Sequence, residues 1–196
     1  RESDLNQSQF SFYISSRVGK GGVSFKMVKL RSMVKNADET GVDSTSDNDN
    51  RITNIGRLIR KYKIDEIFQL WNVIIGDMSL VGPRPNVRRE TDLYTKEEKK
   101  IFMAKPGITD FSSIIFADLG DILSKYDDAD IAYNQLVRPW KSRLGILYIE
   151  KSNLLLDIRL ICYTGLSILS RKKALDFVNE LLIELKAEKD LIKISK

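Results

Sequence analysis

The feature that most constrains this chain is the stretch from 65 to 85, DEIFQLWNVIIGDMSLVGPRP. Two acids stand side by side, mostly apolar residues follow them, and the apolar run ends at Gly76. Apolar residues that are closed off by a glycine predict a helix from about Asp65 to Ile75. Beyond it, Arg84 stands between two prolines, whose restricted φ angles fix the direction of its side chain.

The predicted helix carries a single polar stripe. Glu66, Gln69 and Asn72 recur at every third position, whereas the rest of the helix surface is apolar. A helix with this pattern is either buried or lies against lipid, and its polar stripe faces a site.

The composition bounds the class of protein and the available chemistry. The chain has 196 residues and ordinary globular composition, which predicts one domain over 1–196. A net charge of +5 predicts an anionic partner: nucleic acid, a phosphorylated small molecule or a membrane face. The absence of histidine excludes Ser-His and Cys-His catalysis and His-ligated zinc. The single cysteine, Cys162, excludes an internal disulfide and any multi-cysteine metal site.

Periodicity and turn residues predict an α+β fold that is mainly helical. The predicted elements are a β-hairpin at 10–33, a mobile polar loop at 34–50, helices at 53–63, 65–75, 95–104, 152–170 and 172–192, and a turn at 105–109. No stretch reaches the roughly 20 apolar residues of a spanning helix. Because the first residue is Arg rather than Met, we expect a fragment of a longer chain, and a membrane segment before residue 1 stays open.

The two adjacent acids suit phosphoryl chemistry. The start of a helix favours negative charge, so we expect Asp65 to be ionised, as a nucleophile or a metal ligand must be. Neighbouring carboxylates repel each other unless a cation lies near. Mg²⁺ would suit Asp65 and Glu66, since it takes oxygen ligands from one or two carboxylates and from substrate phosphates.

Basic residues surround the acids in the sequence. Arg57, Arg60 and Lys61 precede them and could neutralise substrate phosphates. Arg84, held between Pro83 and Pro85, would make a bidentate phosphate clamp.

Each of these features also has a plain structural explanation. The acid pair could be only a helix cap, and the upstream cations a solvated helix face. Gln69 and Asn72 could be satisfied core amides, and Asp77 a turn residue. Lys29 and Arg31 could be edge-strand charges that prevent sheet pairing.

Three segments together resemble a known family, the bacterial sugar transferases or monotopic phosphoglycosyl transferases. They are SRVGKGGVSFKMVKLRSM (16–33), RITNIGRLIRKYKIDEIFQLWNVIIGDMSLVGPRP (51–85) and KPGIT (105–109). LLLDIRLI (154–161) also resembles the late helix of the family. The match covers nearly the whole span from 10 to 115, and its central motif is long and specific.

The resemblance implies a reaction. Such enzymes move a sugar 1-phosphate from a UDP-sugar to polyprenol (undecaprenyl) phosphate, release UMP and require Mg²⁺. It implies that Asp65 attacks the β-phosphorus and holds a phospho-sugar intermediate, while Glu66 assists metal binding or activation. It further implies that three cations contact phosphate and nucleotide: Lys29, Arg60 and Arg84. Four further residues would have supporting roles: Arg57, Gln69, Asn72 and Asp77.

The resemblance also implies a location and an organisation. We expect a monotopic enzyme at the cytoplasmic face of a bacterial inner membrane, with amphipathic interfacial helices. The expected division is a catalytic core at 51–115 and a helical C-terminal part at 116–196. The oligomeric state stays open, with a homodimer as one arrangement.

The sequence departs from the family pattern at several points. The N-terminal re-entrant membrane helix of the family is missing from this chain. Phe68 stands where a proline is common in the family. Residues 110–123 lack the Gln-Val-Asn-Gly-Arg run of some members, so the sugar is unidentified. Arg138 and Lys141 could contact headgroups or substrate, although a simple interhelix turn is the plainer explanation.

Two other functions compete with a transferase. A non-catalytic membrane-associated module would keep the fold, but the intact Asp65, Glu66 and Arg84 argue against it. A nucleic-acid binder is disfavoured, because aromatic and basic residues are not interleaved and the acidic loop at 37–49 would repel phosphates.

Overall fold

A computed structural model describes residues 12–37 and 49–195. Within these ranges the chain is mostly helical and carries two small two-stranded sheets, as the α+β prediction requires. The α-helices are α1 (Asn54–Lys61), α2 (Gln69–Ile74), α3 (Arg88–Thr91), α4 (Phe111–Ile115), α5 (Leu119–Leu123), α6 (Ala129–Ala132), α7 (Arg138–Lys151), α8 (Leu154–Leu169), α9 (Arg171–Glu184) and α10 (Lys189–Lys193). No helix of the described residues combines the length and the apolar character needed to cross a membrane.

The predicted hairpin is confirmed over the residues that the structure describes. Strand β1 (Phe12–Val18) pairs antiparallel with β2 (Ser24–Leu30), and a 3₁₀ turn at Lys20–Gly22 joins them. Gly21 and Gly22 both have positive φ, which glycine adopts without a steric penalty. Residues 10–11 and 38–48 lie outside the described residues, so a mobile loop at 34–50 stays a prediction.

The helix predicted at 53–63 is confirmed as α1. Its N-cap is Thr53, whose hydroxyl accepts a hydrogen bond from the Gly56 backbone N–H at 2.9 Å. A Cβ on Gly56 would lie 1.8 Å from the carbonyl oxygen of Ser32. Glycine therefore lets α1 pack directly on the chain that leaves β2.

The prediction of one continuous helix from Asp65 to Ile75 is wrong. The acids lie in a separate 3₁₀ turn, Ile64–Glu66, and α2 begins only at Gln69. Backbone bonds of the i to i+3 type, from Ile67 to Ile64 and from Leu70 to Ile67, keep the chain tight between the two segments. Apolar periodicity does not distinguish such turns from an α-helix. The predicted stop at Gly76 is confirmed, since its φ is 89°.

Residues 105–109 are more than the predicted turn. Their last three residues form β4 (Gly107–Thr109), which pairs in parallel with β3 (Ser79–Val81). A Cβ on Gly107 would lie 2.1 Å from the backbone nitrogen of Gly82, so glycine is needed for this close approach. The local sequence signals the turn, but the strand exists only because β3 lies beside it.

The helix predicted at residues 95–104 is a 3₁₀ segment (Glu98–Met103), which a capping box of Thr95 and Glu98 opens. Glu98 accepts a hydrogen bond from the Thr95 backbone N–H at 2.8 Å, and the Thr95 hydroxyl accepts one from the Glu98 N–H at 3.2 Å.

The C-terminal helices contain the main core. The helix predicted at 152–170 is confirmed as α8, but the one predicted at 172–192 divides into α9 and α10. The break lies at Lys186, whose φ is 55°. Helices α4, α7, α8 and α9 meet in a cluster of fully buried side chains that includes Phe111, Ile114, Leu144, Leu160 and Leu182. This cluster supports β3 and α4, and thereby the turn that presents Arg84.

Candidate active site

The two acids are positioned by a strained entry to their turn. Lys63, the residue before the 3₁₀ segment, adopts the left-handed region with φ 54° and ψ 26°. For a non-glycine residue this conformation costs about 1–2 kcal/mol. The Lys63 ammonium donates to the carbonyl oxygen of Ser113 at 3.3 Å, which ties the entry to α4. Asp65 and Glu66 are thus placed by a tertiary contact rather than by the start of a long helix.

Glu66 is the engaged acid of the pair. Its Oε1 accepts a hydrogen bond from Nη2 of Arg84 at 2.6 Å, and Nζ of Lys29 lies 3.9 Å from the same oxygen. Burial by itself would raise the pKa of Glu66, but the charges of Arg84 and Lys29 and the Arg84 hydrogen bond lower it to about 2. Glu66 is therefore a permanent carboxylate, and the described residues leave its Oε2 without a donor.

Asp65 is the open acid of the pair. It is 9% exposed and lines a cleft, yet no described residue gives its carboxylate a hydrogen bond or an ion pair. Burial and the neighbouring charge of Glu66 raise the pKa of Asp65, while Lys29, Arg60 and Arg84 oppose that rise. A carboxylate with free lone pairs among cations can bind a metal ion or attack an electrophile.

Arg84 is held by a rigid segment, as its two flanking prolines predict. The Gly82 N–H donates to the Thr109 carbonyl at 3.0 Å, and the Gly107 N–H donates to the Pro83 carbonyl at 3.1 Å. The residue before Arg84 is thereby anchored to β4. The charge of Glu66 raises the pKa of Arg84, so its guanidinium stays protonated.

Lys29 and Arg60 reach the same cleft from two other elements, β2 and α1. Burial and the nearby charge of Arg84 lower the pKa of Lys29 to about 8. Burial also lowers the pKa of Arg60. Arg57, in contrast, is exposed and does not line the cleft, so the structure does not bring this predicted supporting residue to the site.

The polar stripe of the sequence faces inward. Gln69 is 1% exposed and lines the cleft, and its Nε2 has no partner among the described residues. Asn72 is fully buried. Its Oδ1 accepts from the Val28 N–H at 3.0 Å, and its Nδ2 donates to the Lys26 carbonyl at 2.7 Å. Asn72 therefore joins α2 to β2, and Asp77 accepts a hydrogen bond from the same Nδ2 at 3.5 Å.

The opposite side of α2 is apolar and exposed. Leu70 and Ile75 are exposed, Trp71 is 58% exposed and Ile74 is 76% exposed. Leu58 of α1 is also exposed. One short helix therefore joins a polar cleft on its inner side to an apolar surface on its outer side. This is the reverse of the pattern of an ordinary surface helix.

Phe68 occupies the position where a proline was expected. It is the N-cap of α2, and its ring packs edge-to-face on Phe12 of β1, with 4.9 Å between the ring centroids. The departure from the family pattern thus supplies a contact between the acid-bearing segment and the hairpin.

The cleft has a volume of about 700 Å³ and a strongly basic lining. Nine basic side chains line it, against the two acids Asp65 and Glu90. The site residues predicted from the sequence do not include five of the arginines: Arg17, Arg31, Arg51, Arg88 and Arg89. Strand alternation could have indicated two of them. Tyr13 pairs with Lys29 across the hairpin. Arg17 follows Tyr13 by four residues and Arg31 follows Lys29 by two, so alternation places Arg17 and Arg31 on the same face as Lys29.

The acid pair fits a magnesium ion. No group of three or more metal-ligating side chains occurs within 12–37 and 49–195. Mg²⁺ does not need such a group, because it normally takes one or two carboxylates together with substrate phosphates and water. The free carboxylate of Asp65 and the open Oε2 of Glu66 are oxygen donors of the type that Mg²⁺ takes.

The fold is mainly helical, and the open carboxylate of Asp65 lies in a cleft whose basic lining suits phosphorylated ligands. Residues 3–171 match the family described as bacterial sugar transferase, so the chain belongs to that family.

Similar curated proteins bear names that specify their reactions. The chain is 34% identical over 161 residues to a UDP-N-acetylgalactosamine-undecaprenyl-phosphate N-acetylgalactosaminephosphotransferase of Aeromonas hydrophila, covering 81% of this chain and 35% of the relative. It is 34% identical over 154 residues to a UDP-glucose:undecaprenyl-phosphate glucose-1-phosphate transferase of Caulobacter vibrioides, covering 75% of this chain and 58% of the relative. It is 43% identical over 114 residues to an undecaprenyl-phosphate galactose phosphotransferase of Salmonella typhimurium, covering 50% of this chain and 24% of the relative. The chain thus spans only part of the length of each relative.

Proposed function

We propose that the protein transfers a sugar 1-phosphate from a UDP-sugar to undecaprenyl phosphate and releases UMP. One observation carries the proposal: of two adjacent acids, Glu66 is held by Arg84 and Lys29, while Asp65 lines a basic cleft and has neither a hydrogen bond nor an ion pair among the described residues. The names of three relatives support the same substrates and reaction. Those relatives differ in their sugar, so the proposal leaves the sugar open.

The first chemical step uses the Asp65 carboxylate as the nucleophile. One carboxylate oxygen attacks the β-phosphorus, and the bond from that phosphorus to the bridging oxygen breaks. UMP leaves with the electron pair, and the sugar phosphate remains on Asp65 as an acyl phosphate. Burial supports this role, because a carboxylate with a raised pKa is more basic and less hydrated than one in water.

The second step restores the enzyme. A phosphate oxygen of undecaprenyl phosphate attacks the same phosphorus, and the bond to Asp65 breaks. The carboxylate leaves with the electron pair, and the lipid carries a diphosphate-linked sugar. Splitting one displacement into two lets a soluble donor and a lipid acceptor use the same site in turn.

The cations would stabilise the charge that builds up on the phosphate oxygens. Lys29, Arg60 and Arg84 reach the cleft from three different elements, and Arg84 is held by its proline-flanked segment. Fixed positive groups of this kind supply most of the rate enhancement in phosphoryl transfer. A guanidinium that is already oriented by Glu66 loses little further freedom when substrate binds.

Asp65 and Glu66 would hold Mg²⁺, with Glu66 contributing its open Oε2. When bound, the ion would neutralise negative charge on the substrate phosphates. Glu66 has a second role that its contacts support directly, since it orients Arg84 and neutralises part of the basic lining.

The outer surface of α2 would place this site at a membrane. The exposed Trp71, Ile74 and Leu70 would enter the interface of a bilayer, where apolar helix faces are stable. The acceptor phosphate lies at the headgroup level, so the cleft on the inner side of the same helix would meet it. We place the protein at the cytoplasmic face of a bacterial inner membrane.

The direct test uses the complete protein in its membrane. It is incubated with Mg²⁺, undecaprenyl phosphate and, in separate reactions, UDP-glucose, UDP-galactose and UDP-N-acetylgalactosamine, and UMP is measured. Release of UMP with one donor and formation of the matching lipid product support the proposal. Absence of UMP with a full panel of UDP-sugars would overturn it. Acid quenching and mass spectrometry of the Asp65 peptide test the covalent step separately.

A further inference from the structure

Lys141 reaches the cleft from a distant part of the chain. It lies on α7, in the C-terminal half, yet it lines the cleft together with Asp65 and Arg84. It also lines a smaller adjoining pocket with Arg84 and Asp110. Its Nζ lies 5.3 Å from the ring centroid of Tyr133 and 5.9 Å from that of Phe116.

The ammonium of Lys141 has aromatic neighbours but forms no ion pair, although the charges of Asp110, Glu90 and Glu66 act on it from a distance. Within the described residues it forms no hydrogen bond, and no carboxylate lies within ion-pair distance. The nearby carboxylate of Asp110 accepts hydrogen bonds from Ser112 and Ser113, and that of Glu66 is engaged by Arg84. Cation–π contacts compensate only part of the lost hydration of an ammonium.

Arg84 is the neighbouring charge that acts most strongly on Lys141, and both side chains line the cleft and the smaller pocket. Burial and the charge of Arg84 lower the pKa of Lys141 to about 8. Two cations that face one space in a basic cleft repel each other, which opposes folding. A negatively charged phosphate bound between them would remove the repulsion, because its oxygens would accept hydrogen bonds from both the Lys141 ammonium and the Arg84 guanidinium.

We propose that Lys141 binds a phosphate group of the substrate and completes an anion site with Arg84. The inference rests on the proposed function, since it identifies a further residue of that site. The same chemistry has two sources: the diphosphate of the nucleotide sugar and the phosphate of the lipid acceptor. The plain alternative is that Lys141 only packs between Phe116 and Tyr133.

Ligand binding tests the proposal without turnover. The complete protein in nanodiscs is titrated by calorimetry with UDP and, separately, with a short-chain prenyl phosphate. Lys141→Met keeps most of the apolar stem and removes the charge, whereas Lys141→Arg keeps a cation. Lys172→Met, at an exposed position on α9, is the matched control.

We expect Lys141→Met to weaken the binding of one of the two ligands by roughly 10- to 100-fold, which is the effect of losing one charged hydrogen bond. Lys141→Arg should bind within a fewfold of wild type, and Lys172→Met should be unchanged. Weakened UDP binding assigns Lys141 to the nucleotide diphosphate, and weakened prenyl phosphate binding assigns it to the acceptor. Unchanged binding of both ligands to a folded Lys141→Met would overturn the proposal.

A labelling measurement on the wild type covers the case in which Lys141→Met does not fold. Lys141 is acetylated with a limiting reagent in the presence and absence of each ligand, and the modified peptide is quantified. Protection of Lys141 by UDP or prenyl phosphate, with Lys172 unprotected, supports the proposal. Equal modification with and without both ligands overturns it. Normal UMP release alongside that result would leave the proposed function intact.

Discussion

Arg84 and Glu66 are 18 residues apart in the chain, and Nη2 of one lies 2.6 Å from Oε1 of the other. This ion pair connects the proline-flanked segment after β3 to the turn that carries both acids. Lys29 approaches the same oxygen from the hairpin, so three elements converge on one carboxylate. The consequence is an asymmetric acid pair, in which Glu66 is fixed and Asp65 stays open.

Replacement of the open acid should abolish transfer while leaving the fold intact. Asp65→Asn removes the nucleophile, so we expect UMP release to fall by at least about 10³-fold. UDP binding should persist, because the substitution removes a negative charge from the cleft. Steady-state UMP release and UDP titration check the two statements. Asp121→Asn, at an exposed position on α5, should retain wild-type turnover, and wild-type turnover in Asp65→Asn would refute the covalent scheme.

Removal of the fixed acid should have a pH-dependent effect on stability. The folded-state pKa of Glu66, about 2, lies below its ordinary value of 4.5, so ionised Glu66 stabilises the fold. That contribution is fully present above about pH 4.5 and is lost as the pH falls toward 2. Glu66→Gln should therefore lower the free energy of unfolding by about 2 kcal/mol at pH 7, and this difference should shrink below pH 4.5.

Denaturant unfolding at several pH values measures this difference. Glu97→Gln is the control, because Glu97 pairs with Lys100 on the surface, with the two side chains 65% and 51% exposed. Surface pairs contribute about 0–1 kcal/mol, so Glu97→Gln should change stability little. A constant difference between wild type and Glu66→Gln from pH 7 to pH 3 would contradict the expected linkage.

The amide of Asn72 should be a major contributor to stability. Asn72→Ala would leave the Val28 N–H and the Lys26 carbonyl without their side-chain partner, in a fully buried position. We expect a loss of about 2–3 kcal/mol in the free energy of unfolding, measured by denaturant titration. Asn54→Ala, exposed at the start of α1, should cost much less. Equal stability of both variants would show that α2 is not held by this amide.

The outer surface of α2 should matter for the lipid acceptor rather than for the nucleotide donor. Trp71→Glu or Ile74→Glu changes an exposed position, so stability should be retained. In the complete protein in vesicles, we expect lipid product to fall by about tenfold or more, because a charge opposes burial in the interface. Single-turnover UMP release should persist. Ile183→Glu, also at an exposed apolar position, is the control; an equal loss there would argue against a specific role for α2.

Local chemistry made several elements predictable. Val18 to Val23 flank a glycine turn, Thr53 caps α1, and Thr95 with Glu98 forms a capping box, each through contacts within a few residues. Elements that depend on distant partners were predicted wrongly. The acids lie in a 3₁₀ turn whose entry at Lys63 is held by Ser113, and no periodicity within 65–75 encodes that contact.

In the candidate site, too, features that depend on local sequence were predicted and those that depend on distant contacts were not. Asp65, Glu66 and Arg84 were identified from a short motif and from the family resemblance, whereas the predicted contribution of Arg57 is not supported by its exposed position. For Lys141 the sequence left a contact to headgroups or substrate open and favoured an interhelix turn, which is wrong because Lys141 lies within α7. Nothing in its own segment indicates that α7 brings it to the same cleft as Arg84.

The sequence by itself determined the residue types, the turns and caps, and a helix with a polar stripe, because these depend on covalent geometry and near neighbours. Tertiary structure decided which acid is engaged and which is open, that the stripe faces inward, and that nine cations share one cleft. The physical reason is that charge and burial act through space. The state of a carboxylate depends on groups within a few ångströms of it, wherever they lie along the chain.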